Sequence, residues 1–387
     1  MLVERMRAHA STIFAEMSAL ALRTGAINLG QGFPDTDGPA SLLSDAAANI
    51  QAGINQYPPG IGVPELRAAV AEHQRRFYGL DIDPDTVLVT TGATEAIASA
   101  VLALCEPGDE VVTFQPYYDS YAATIALANA VIRPVPLRPS GIGFAFDPDE
   151  LRAAFSARTR LVLVNTPHNP TGTVFDRDQL TLIGELAAEH DAVVVTDEVY
   201  EHMIYDGRPH VPMATLPGMA ERTLTISSVG KTFSVTGWKV GWVHGPAELV
   251  SAVRAVKQFL TYVSGAPFQP AIAAALGLPD SFYAQLAGGL QRKRDLLSGG
   301  LREAGFTVFD TAGTYFVVTD VTPLGYTDGA EFCWNLPERV GVAAVPVSVF
   351  CADPQLGRSL VRFAFCKRDE VLTEAVSRLV ALRATAS

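Results

Sequence analysis

The 387-residue chain is 48% hydrophobic and only 18% charged, a composition that supports a folded core and excludes a disordered protein. Its formal net charge of −12 excludes the basic surface expected of a protein that binds nucleic acid or an anionic membrane. The length favours two closely packed domains, and the longest apolar runs are too short to span a bilayer.

The cysteines and the N-terminal segment indicate a protein of the reducing cytoplasm. No CxxC motif or Cys/His pair has metal-ligand spacing, so we predict buried thiols and no metal site. Glu4 and Glu16 interrupt the N-terminal segment, and we therefore expect no signal peptide. The cysteines are Cys105, Cys333, Cys351 and Cys366.

The first sixty residues combine helical and loop signals. Apolar residues between positions 13 and 21 recur on one helical face, and residues 39–50 also have a helical pattern. Segments 29–35 and 55–60 contain glycine and proline at the density typical of loops. We expect residues 1–45 to form an N-terminal arm that contributes to a small domain.

From about residue 63 to 260, helical stretches such as 95–104 and 179–190 alternate with short apolar runs. Several of these runs lack polar alternation, which is typical of strands buried on both faces of a mostly parallel sheet. We therefore predict an α/β fold with a large domain at 46–280. The runs are 87–89, 110–114, 161–164, 192–195 and 224–226.

The pattern changes from about residue 281 onward. A long charged helix is predicted at 282–304, and short strands and a final helix follow it. We expect residues 281–387 to form a smaller α+β domain.

Polar groups follow the predicted strands. Ligands of open α/β sheets bind outside the carboxyl ends of the strands, so these groups are candidates for a site. After the run 87–89, a turn at Gly92 opens a helix whose free N–H groups and dipole suit an anion. The run 161–164 leads into an irregular loop that carries Asn169.

Two further strand ends carry charged side chains. Asp197 ends an apolar run, where a buried acid is costly unless it pairs with a cation, and Tyr200 lies three residues beyond. Lys231 lies among small, hydroxylated and glycine residues, and a second cation, Lys239, follows eight positions on. This setting suits a lysine that forms a Schiff base with a carbonyl cofactor, because a neighbouring cation depresses the lysine pKa.

The four strand ends together describe a phosphorylated aromatic aldehyde bound to Lys231. Its phosphate would lie on the helix N-terminus at Gly92, its ring nitrogen would face Asp197, and a ring oxygen would face Asn169 and Tyr200. We therefore predict a cofactor of this chemistry at the carboxyl edge of the sheet.

Two nucleotide-binding motifs are excluded. A P-loop around Lys231 would require its first glycine at position 225, where the chain has Thr225. Segments 30–32 and 60–62 lack the third glycine of the dinucleotide fingerprint. A DNA-binding regulator built on the same domain would need an extra module and a basic surface, which the sequence does not have.

The chain resembles the pyridoxal-phosphate-dependent aminotransferases of fold type I, class I/II. The resemblance rests on His-Asn-Pro-Thr-Gly at 168–172, Asp-Glu-Val-Tyr at 197–200 and Ser-x-x-Lys at 228–231. Segments 28–35 and 236–242 are similar to the kynurenine aminotransferase/glutamine transaminase branch and to actinobacterial N-succinyldiaminopimelate aminotransferases. The resemblance implies a large cofactor-binding domain with a mostly parallel seven-stranded sheet between helices, and a homodimer with active sites at the subunit interface.

The resemblance also implies roles for individual residues at the cofactor. Lys231 corresponds to the Schiff-base lysine, and Asp197 to the acid that keeps the pyridine nitrogen protonated. Asn169 and Tyr200 correspond to the contacts of the ring hydroxyl, and Tyr118 to the residue that stacks on the ring. Lys231, Asp197 and Tyr200 form the predicted catalytic set.

Phosphate and substrate contacts follow from the same resemblance. Arg362 corresponds to the arginine that binds the substrate α-carboxylate, and Gly32 and Asn169 lie beside that carboxylate. Tyr57 is expected to reach the phosphate from a second subunit. The remaining phosphate contacts are Gly92, Ala93, Thr94, Ser228 and Lys239.

The implied reaction is transfer of an amino group between an L-amino acid and a 2-oxo acid. Small residues at Thr94, Ser264 and Gly265, where relatives often carry bulkier ones, predict a roomy substrate pocket. N-succinyldiaminopimelate and 2-oxoglutarate are one candidate pair. A glutamine, kynurenine or methionine transaminase and a cysteine S-conjugate β-lyase remain alternatives.

Overall fold

A computed structural model describes residues 2–384 of the chain. Residue 1 and residues 385–387, which belong to the predicted N-terminal arm and small domain, lie outside the described residues. The helices are α1 (Ile13–Thr24), α2 (Ala40–Gln51), α3 (Pro64–Tyr78), α4 (Gly92–Leu104), α5 (Asp119–Leu127), α6 (Pro148–Ala154), α7 (Arg177–Glu189), α8 (Val229–Thr232), α9 (Ala247–Leu260), α10 (Phe268–Leu276), α11 (Asp280–Glu303), α12 (Gly329–Val340) and α13 (Asp369–Ala384).

The strands are β1 (Ile27–Asn28), β2 (Val87–Thr90), β3 (Glu110–Gln115), β4 (Val131–Pro136), β5 (Arg138–Ser140), β6 (Gly143–Ala145), β7 (Thr159–Asn165), β8 (Val193–Asp197), β9 (Thr223–Ser228), β10 (Gly241–His244), β11 (Thr307–Val308), β12 (Phe316–Asp320), β13 (Val342–Ala343), β14 (Val345–Pro346) and β15 (Leu360–Ala364).

Seven strands form the central sheet in the order β2-β10-β9-β8-β7-β3-β4. The neighbours from β9 to β4 pair in parallel, whereas β10 is antiparallel to both β9 and β2. Both faces are covered, since Val194 and Val195, adjacent on β8, belong to different buried apolar clusters. The predicted α/β fold with a mostly parallel seven-stranded sheet is confirmed.

The five predicted strands correspond to β2, β3, β7, β8 and β9, whereas β4 and β10 were missed. β4 contains Pro134 and Pro136, and proline disfavours a strand because it has no N–H to donate. The two prolines are tolerated because β4 lies at the edge of the sheet. β10 begins at Gly241 and has only four residues, so it carries little periodic signal. Its pairing partners on both sides account for its burial.

A second, antiparallel sheet has the order β11-β12-β15-β14 and packs with α11, α12 and α13 in one apolar cluster. The N-terminal segment joins the same cluster, because Met17 and Leu20 of α1 are buried there. β1 also pairs in parallel with β13. The N-terminal residues therefore lie against the C-terminal part of the chain.

The sheet register brings the polar strand ends together. Asn165, the last residue of β7, pairs with Asp197, the last residue of β8. Asp197 in turn pairs with Ile226 on β9, which continues through Ser228 into α8 and Lys231. The carboxyl edge of the sheet therefore places an amide, an acid and an amine side by side.

Candidate active site

A cavity of about 260 Å³ lies at the carboxyl ends of β7, β8 and β9, and Arg362 of β15 lines it from the second sheet. Every predicted site residue except Tyr57 lines this cavity. The lining residues among those predicted are Gly32, Gly92, Ala93, Thr94, Tyr118, Asn169, Asp197, Tyr200, Ser228, Lys231, Lys239 and Arg362.

Tyr57 does not reach the cavity within the described chain. Its side chain is 80% exposed, and its ring centroid lies 5.4 Å from that of Tyr262. Ser264, predicted to widen the pocket, accepts a hydrogen bond from Thr91 at 3.0 Å and is not among the residues that line the cavity in the described part of the chain.

One end of the cavity is built to hold an anion. Gly92 begins α4 with a φ of +73°, a conformation that L side chains rarely adopt, and the helix N-terminus presents free N–H groups there. A Cβ atom at Gly92 would lie 3.3 Å from Nζ of Lys239, so the amine covers this turn closely. The ammonium group and the helix dipole together favour a phosphate-sized anion.

A buried acid, Asp197, lies at the end of β8 and also lines the cavity. Oδ2 of Asp197 accepts a hydrogen bond from Oη of Tyr121 at 2.6 Å, and Oδ1 accepts one from the Val199 N–H at 3.3 Å. Burial raises the pKa of Asp197, although Tyr121, Val199 and the Lys231 charge oppose this shift. A cationic N–H donor in the cavity would favour the ionised form.

Tyr121 was not predicted as a site residue. It is buried in α5, and its ring centroid lies 5.8 Å from that of Tyr118, the N-cap residue of this helix. Burial and the Asp197 carboxylate raise its pKa, which keeps the phenol a hydrogen-bond donor. No linear pattern in the sequence indicated this contact with Asp197, which joins α5 to the end of β8.

Asn165 was also not predicted as a site residue. Its side chain connects the loop that carries Asn169 to the end of the strand at Asp197. Its Nδ2 donates to the backbone oxygen of Asp197 at 2.8 Å, and its Oδ1 accepts from the N–H of Asn169 at 2.7 Å. The side chain therefore fixes the loop of Asn169 relative to the strand that ends at Asp197.

Arg362 is 1% exposed and points into the cavity from the second sheet. Its Nη1 donates to Oδ1 of Asn169 and its Nη2 to the oxygen of Gly30, both at 2.9 Å. Its Nε has no hydrogen-bond partner among residues 2–384. Burial lowers its pKa to about 10, so the guanidinium stays charged at neutral pH and is available to a carboxylate.

The backbone at Gly32 closes the cavity beside this arginine. A Cβ atom there would lie 2.5 Å from Cζ of Phe316, whose ring centroid is 4.0 Å from the guanidinium carbon of Arg362. Oη of Tyr315 donates to the Gly32 oxygen. Only glycine allows this close approach, which places the backbone next to Arg362.

Lys231 lies between these groups. Its Nζ is 5.7 Å from the ring centroid of Tyr200 and 5.6 Å from that of Tyr315. Burial lowers its pKa to about 8, with Lys239 and Arg362 adding to the shift while Cys366 and Asp197 oppose it. A substantial fraction of the amine is therefore neutral and nucleophilic near physiological pH.

The fold and the cavity together are those of a fold type I enzyme, with an anion cradle, a buried acid and an amine among which a phosphorylated carbonyl cofactor would fit. The anion cradle at Gly92, the buried acid Asp197 and the lowered pKa of Lys231 fit pyridoxal phosphate. The chain belongs to the class I and II aminotransferases, whose family model matches residues 24–379. It is therefore a pyridoxal-phosphate-dependent aminotransferase, as the sequence resemblance implied.

Three relatives place the chain more closely. It is 55% identical over 392 residues to "Probable N-succinyldiaminopimelate aminotransferase DapC" of Mycobacterium tuberculosis, covering 99% of this chain and 98% of the relative. It is 42% identical to the methionine aminotransferase of Escherichia coli, with 95% of each covered. It is 37% identical to kynurenine–oxoglutarate transaminase 3 of Mus musculus, with 94% and 86% covered.

A solved structure supports the same placement. The structure of N-succinyldiaminopimelate aminotransferase from Mycobacterium tuberculosis superposes with a TM-score of 0.97 at 56% identity, covering 99% of this chain and 100% of that one. No helix within residues 2–384 is long and apolar enough to cross a membrane.

Proposed function

We propose that this aminotransferase moves the amino group of N-succinyldiaminopimelate to 2-oxoglutarate. The observation that carries the proposal is the 55% identity, over almost the whole of both chains, to a relative named for that substrate. A methionine or kynurenine donor is the alternative, since relatives with those names are 42% and 37% identical.

Space beside the cavity supports a long donor. A second cavity of about 590 Å³ shares Phe14 and Tyr118 with the first and extends along the N-terminal segment past His9 and Thr12. Phe14, whose ring centroid lies 5.2 Å from the guanidinium carbon of Arg362, lines both cavities, so the second cavity begins beside the Arg362 end of the first. This arrangement favours an extended substrate over a short one.

The cofactor-holding residues divide into three groups. Lys239, Ser228 and the α4 N-terminus at Gly92, with Ala93 and Thr94, would hold the phosphate. Asp197 would keep the ring nitrogen protonated, and Asn169 and Tyr200 would contact the ring hydroxyl, with Tyr118 against the ring face. When bound, pyridoxal phosphate withdraws electrons from the substrate Cα as its C–H bond breaks.

The substrate-holding residues fix which bond reacts. Arg362 would pair with the α-carboxylate through its unsatisfied Nε, with Asn169 and the Gly32 backbone beside it. Because this pair fixes one end of the substrate, it orients the Cα–H bond toward Lys231. The neutral Lys231 amine would accept the proton from the substrate Cα and then donate it to the carbonyl-derived carbon of the cofactor.

The pH dependence of cofactor attachment tests the state of Lys231. Below a pKa of about 8 the amine is mostly protonated, so covalent attachment of pyridoxal phosphate to the apoenzyme should speed up about tenfold per pH unit and level off above 8. Stopped-flow absorbance measures this rate. A rate that still climbs up to about pH 10, as for an unperturbed lysine, would contradict the lowered pKa.

Asp197→Asn should lower kcat by about 10²–10³-fold while leaving the fold intact, because the amide carries no charge to stabilise a protonated ring nitrogen. Steady-state kinetics measure the effect, and Asp197→Glu should recover part of it. Asp178→Asn, at an exposed position on α7, is the matched control. Equal kcat values for Asp197→Asn and the control would remove Asp197 from its proposed role.

An amino-donor screen tests the substrate. With 2-oxoglutarate as acceptor, kcat/KM for N-succinyldiaminopimelate should exceed that for glutamine, kynurenine and methionine by at least about tenfold. A higher value for any of the other three would replace the proposed donor without changing the reaction class. Pyruvate released from a cysteine S-conjugate without added oxo acid would favour the β-lyase alternative.

We also propose a homodimer in which Tyr57 reaches the phosphate of the partner's site. Support comes from exposed aromatic side chains: Tyr57 is 80% exposed, its neighbour Tyr262 is 52% exposed, and Phe259, at the end of α9, is 85% exposed. Sedimentation equilibrium should give twice the chain mass, and Tyr57→Phe should weaken cofactor binding. A monomer with full activity would overturn this arrangement.

The domain division and the location complete the proposal. We propose the boundaries 1–45, 46–280 and 281–387, which the pairing of β1 with β13 supports. A cytoplasmic location is supported by the free and buried state of all four cysteines.

A further inference from the structure

A cluster of imidazole and carboxylate groups lies outside the active-site cavity. His73 of α3 and the pair Glu201 and His202, on the turn that follows β8, place one ligand atom each within 4.8 Å of one another. His73 is 3% exposed and Glu201 5% exposed. None of the three lines the active-site cavity, so the reaction proposed above does not use them.

The Glu201 carboxylate lies among imidazoles instead of beside a lysine or arginine in the described part of the chain. Its Oε1 accepts a hydrogen bond from Oγ of Ser227 at 2.7 Å, whereas its Oε2 makes no hydrogen bond of normal geometry in the described part of the chain, with the phenol of Tyr78 close enough to act on the carboxylate. Within residues 2–384, the groups whose charges act most strongly on Glu201 are the imidazoles of His73, His202 and His210, and no lysine or arginine is among them. A carboxylate buried in this way is costly unless a cation compensates its charge.

The two imidazoles converge on the same region. Nε2 of His73 and Nε2 of His202 lie 2.7 Å apart, with the rings at 84° to one another. Two ligands of a tetrahedral zinc ion, each about 2.0–2.1 Å from the metal, lie about 3.3 Å apart. Separating the nitrogens by well under 1 Å, turning both rings so that their nitrogens face one point, and rotating the Glu201 side chain would admit an ion.

We propose that His73, His202 and Glu201 form a binding site for one divalent transition-metal ion of the zinc class. Two imidazole nitrogens and a carboxylate oxygen are a ligand set that zinc prefers, with a fourth position left for water. The Ser227 hydroxyl orients the carboxylate, as partners of zinc ligands commonly do. The ion links α3 to the turn that carries Tyr200 and thereby supports the wall of the active site.

Zinc content of the holoenzyme tests the site. After treatment with a chelator, incubation with zinc chloride and desalting, elemental analysis should find about one zinc per chain. His73→Gln, His202→Gln and Glu201→Gln should each lose this zinc, whereas His190→Gln, outside the cluster, should keep it. Ser227→Ala should weaken zinc binding by about 10-fold to 100-fold.

Two measurements keep the result independent of the cofactor and of folding. The cofactor absorbance should be the same in wild type and variants, which shows that all of them hold equal amounts of pyridoxal phosphate. Zinc bound by the cofactor would then be equal in all of them, so a loss of zinc in the His73 and His202 variants would come from the cluster. Zinc should also raise the Tm of the wild-type holoenzyme, and cobalt in its place should give the visible absorption of a tetrahedral site. Wild type that keeps no zinc and shows no Tm shift would overturn the proposal and leave a plain hydrogen bond between the imidazoles.

Discussion

Lys231→Ala should abolish transamination and the covalent attachment of pyridoxal phosphate. The chain would lose both the amine that anchors the cofactor and the group that moves the Cα proton, and proton transfer alone accounts for about 10²–10⁴-fold in rate. Single-turnover absorbance with a donor amino acid measures the loss. Borohydride reduction followed by peptide mass analysis should label Lys231 in wild type and no lysine in the variant.

Two variants separate the amine's chemistry from its charge. Lys231→Arg keeps a positive charge, but a guanidinium does not lose its proton at neutral pH, so this variant should be as inactive as alanine. Lys293→Ala removes a lysine that lies 3.6 Å from Asp369, outside the cavity, and should leave the rate unchanged. Activity in Lys231→Arg, or a reducible bond in Lys231→Ala, would show that another group anchors the cofactor.

The parts of the site that sequence reasoning found are those attached to strand ends. The apolar runs identify β7, β8 and β9, and parallel strands end at one edge, so Asn169, Asp197 and Lys231 had to meet. Arg362 could not be placed in this way, because it lies on a separate sheet and enters the cavity through tertiary packing. Only the family resemblance brought it to the site.

The residues that were missed act through contacts that a linear pattern does not carry. Asn165 and Tyr121 hold Asp197 and its neighbours through hydrogen bonds between different elements. The same limit explains the cluster proposed to bind zinc. His73 lies on α3 and Glu201 follows β8, so no motif spacing joins them, and only the packing of the helix against the sheet does.

Arg362→Ala should lower kcat/KM for both amino and oxo acid, mainly through KM. The guanidinium is buried and its Nε is free of partners among the described residues, so the variant would leave the substrate carboxylate buried without its charge partner. Loss of such a pair costs about 2–5 kcal/mol, roughly 30-fold to several thousand-fold in kcat/KM. Steady-state kinetics with donor and acceptor varied in turn measure this loss.

A substrate without the α-carboxylate distinguishes recognition from structural damage. Arg362 also donates to Asn169 and Gly30, so its removal could disturb the cavity for any substrate. If the arginine binds the carboxylate, wild type and Arg362→Ala should differ little with a simple primary amine, although both would be slow. Arg358→Ala, whose side chain is 53% exposed, should behave as wild type. An equal loss for the amine and the amino acid would assign Arg362 to the scaffold of the cavity instead of to substrate recognition.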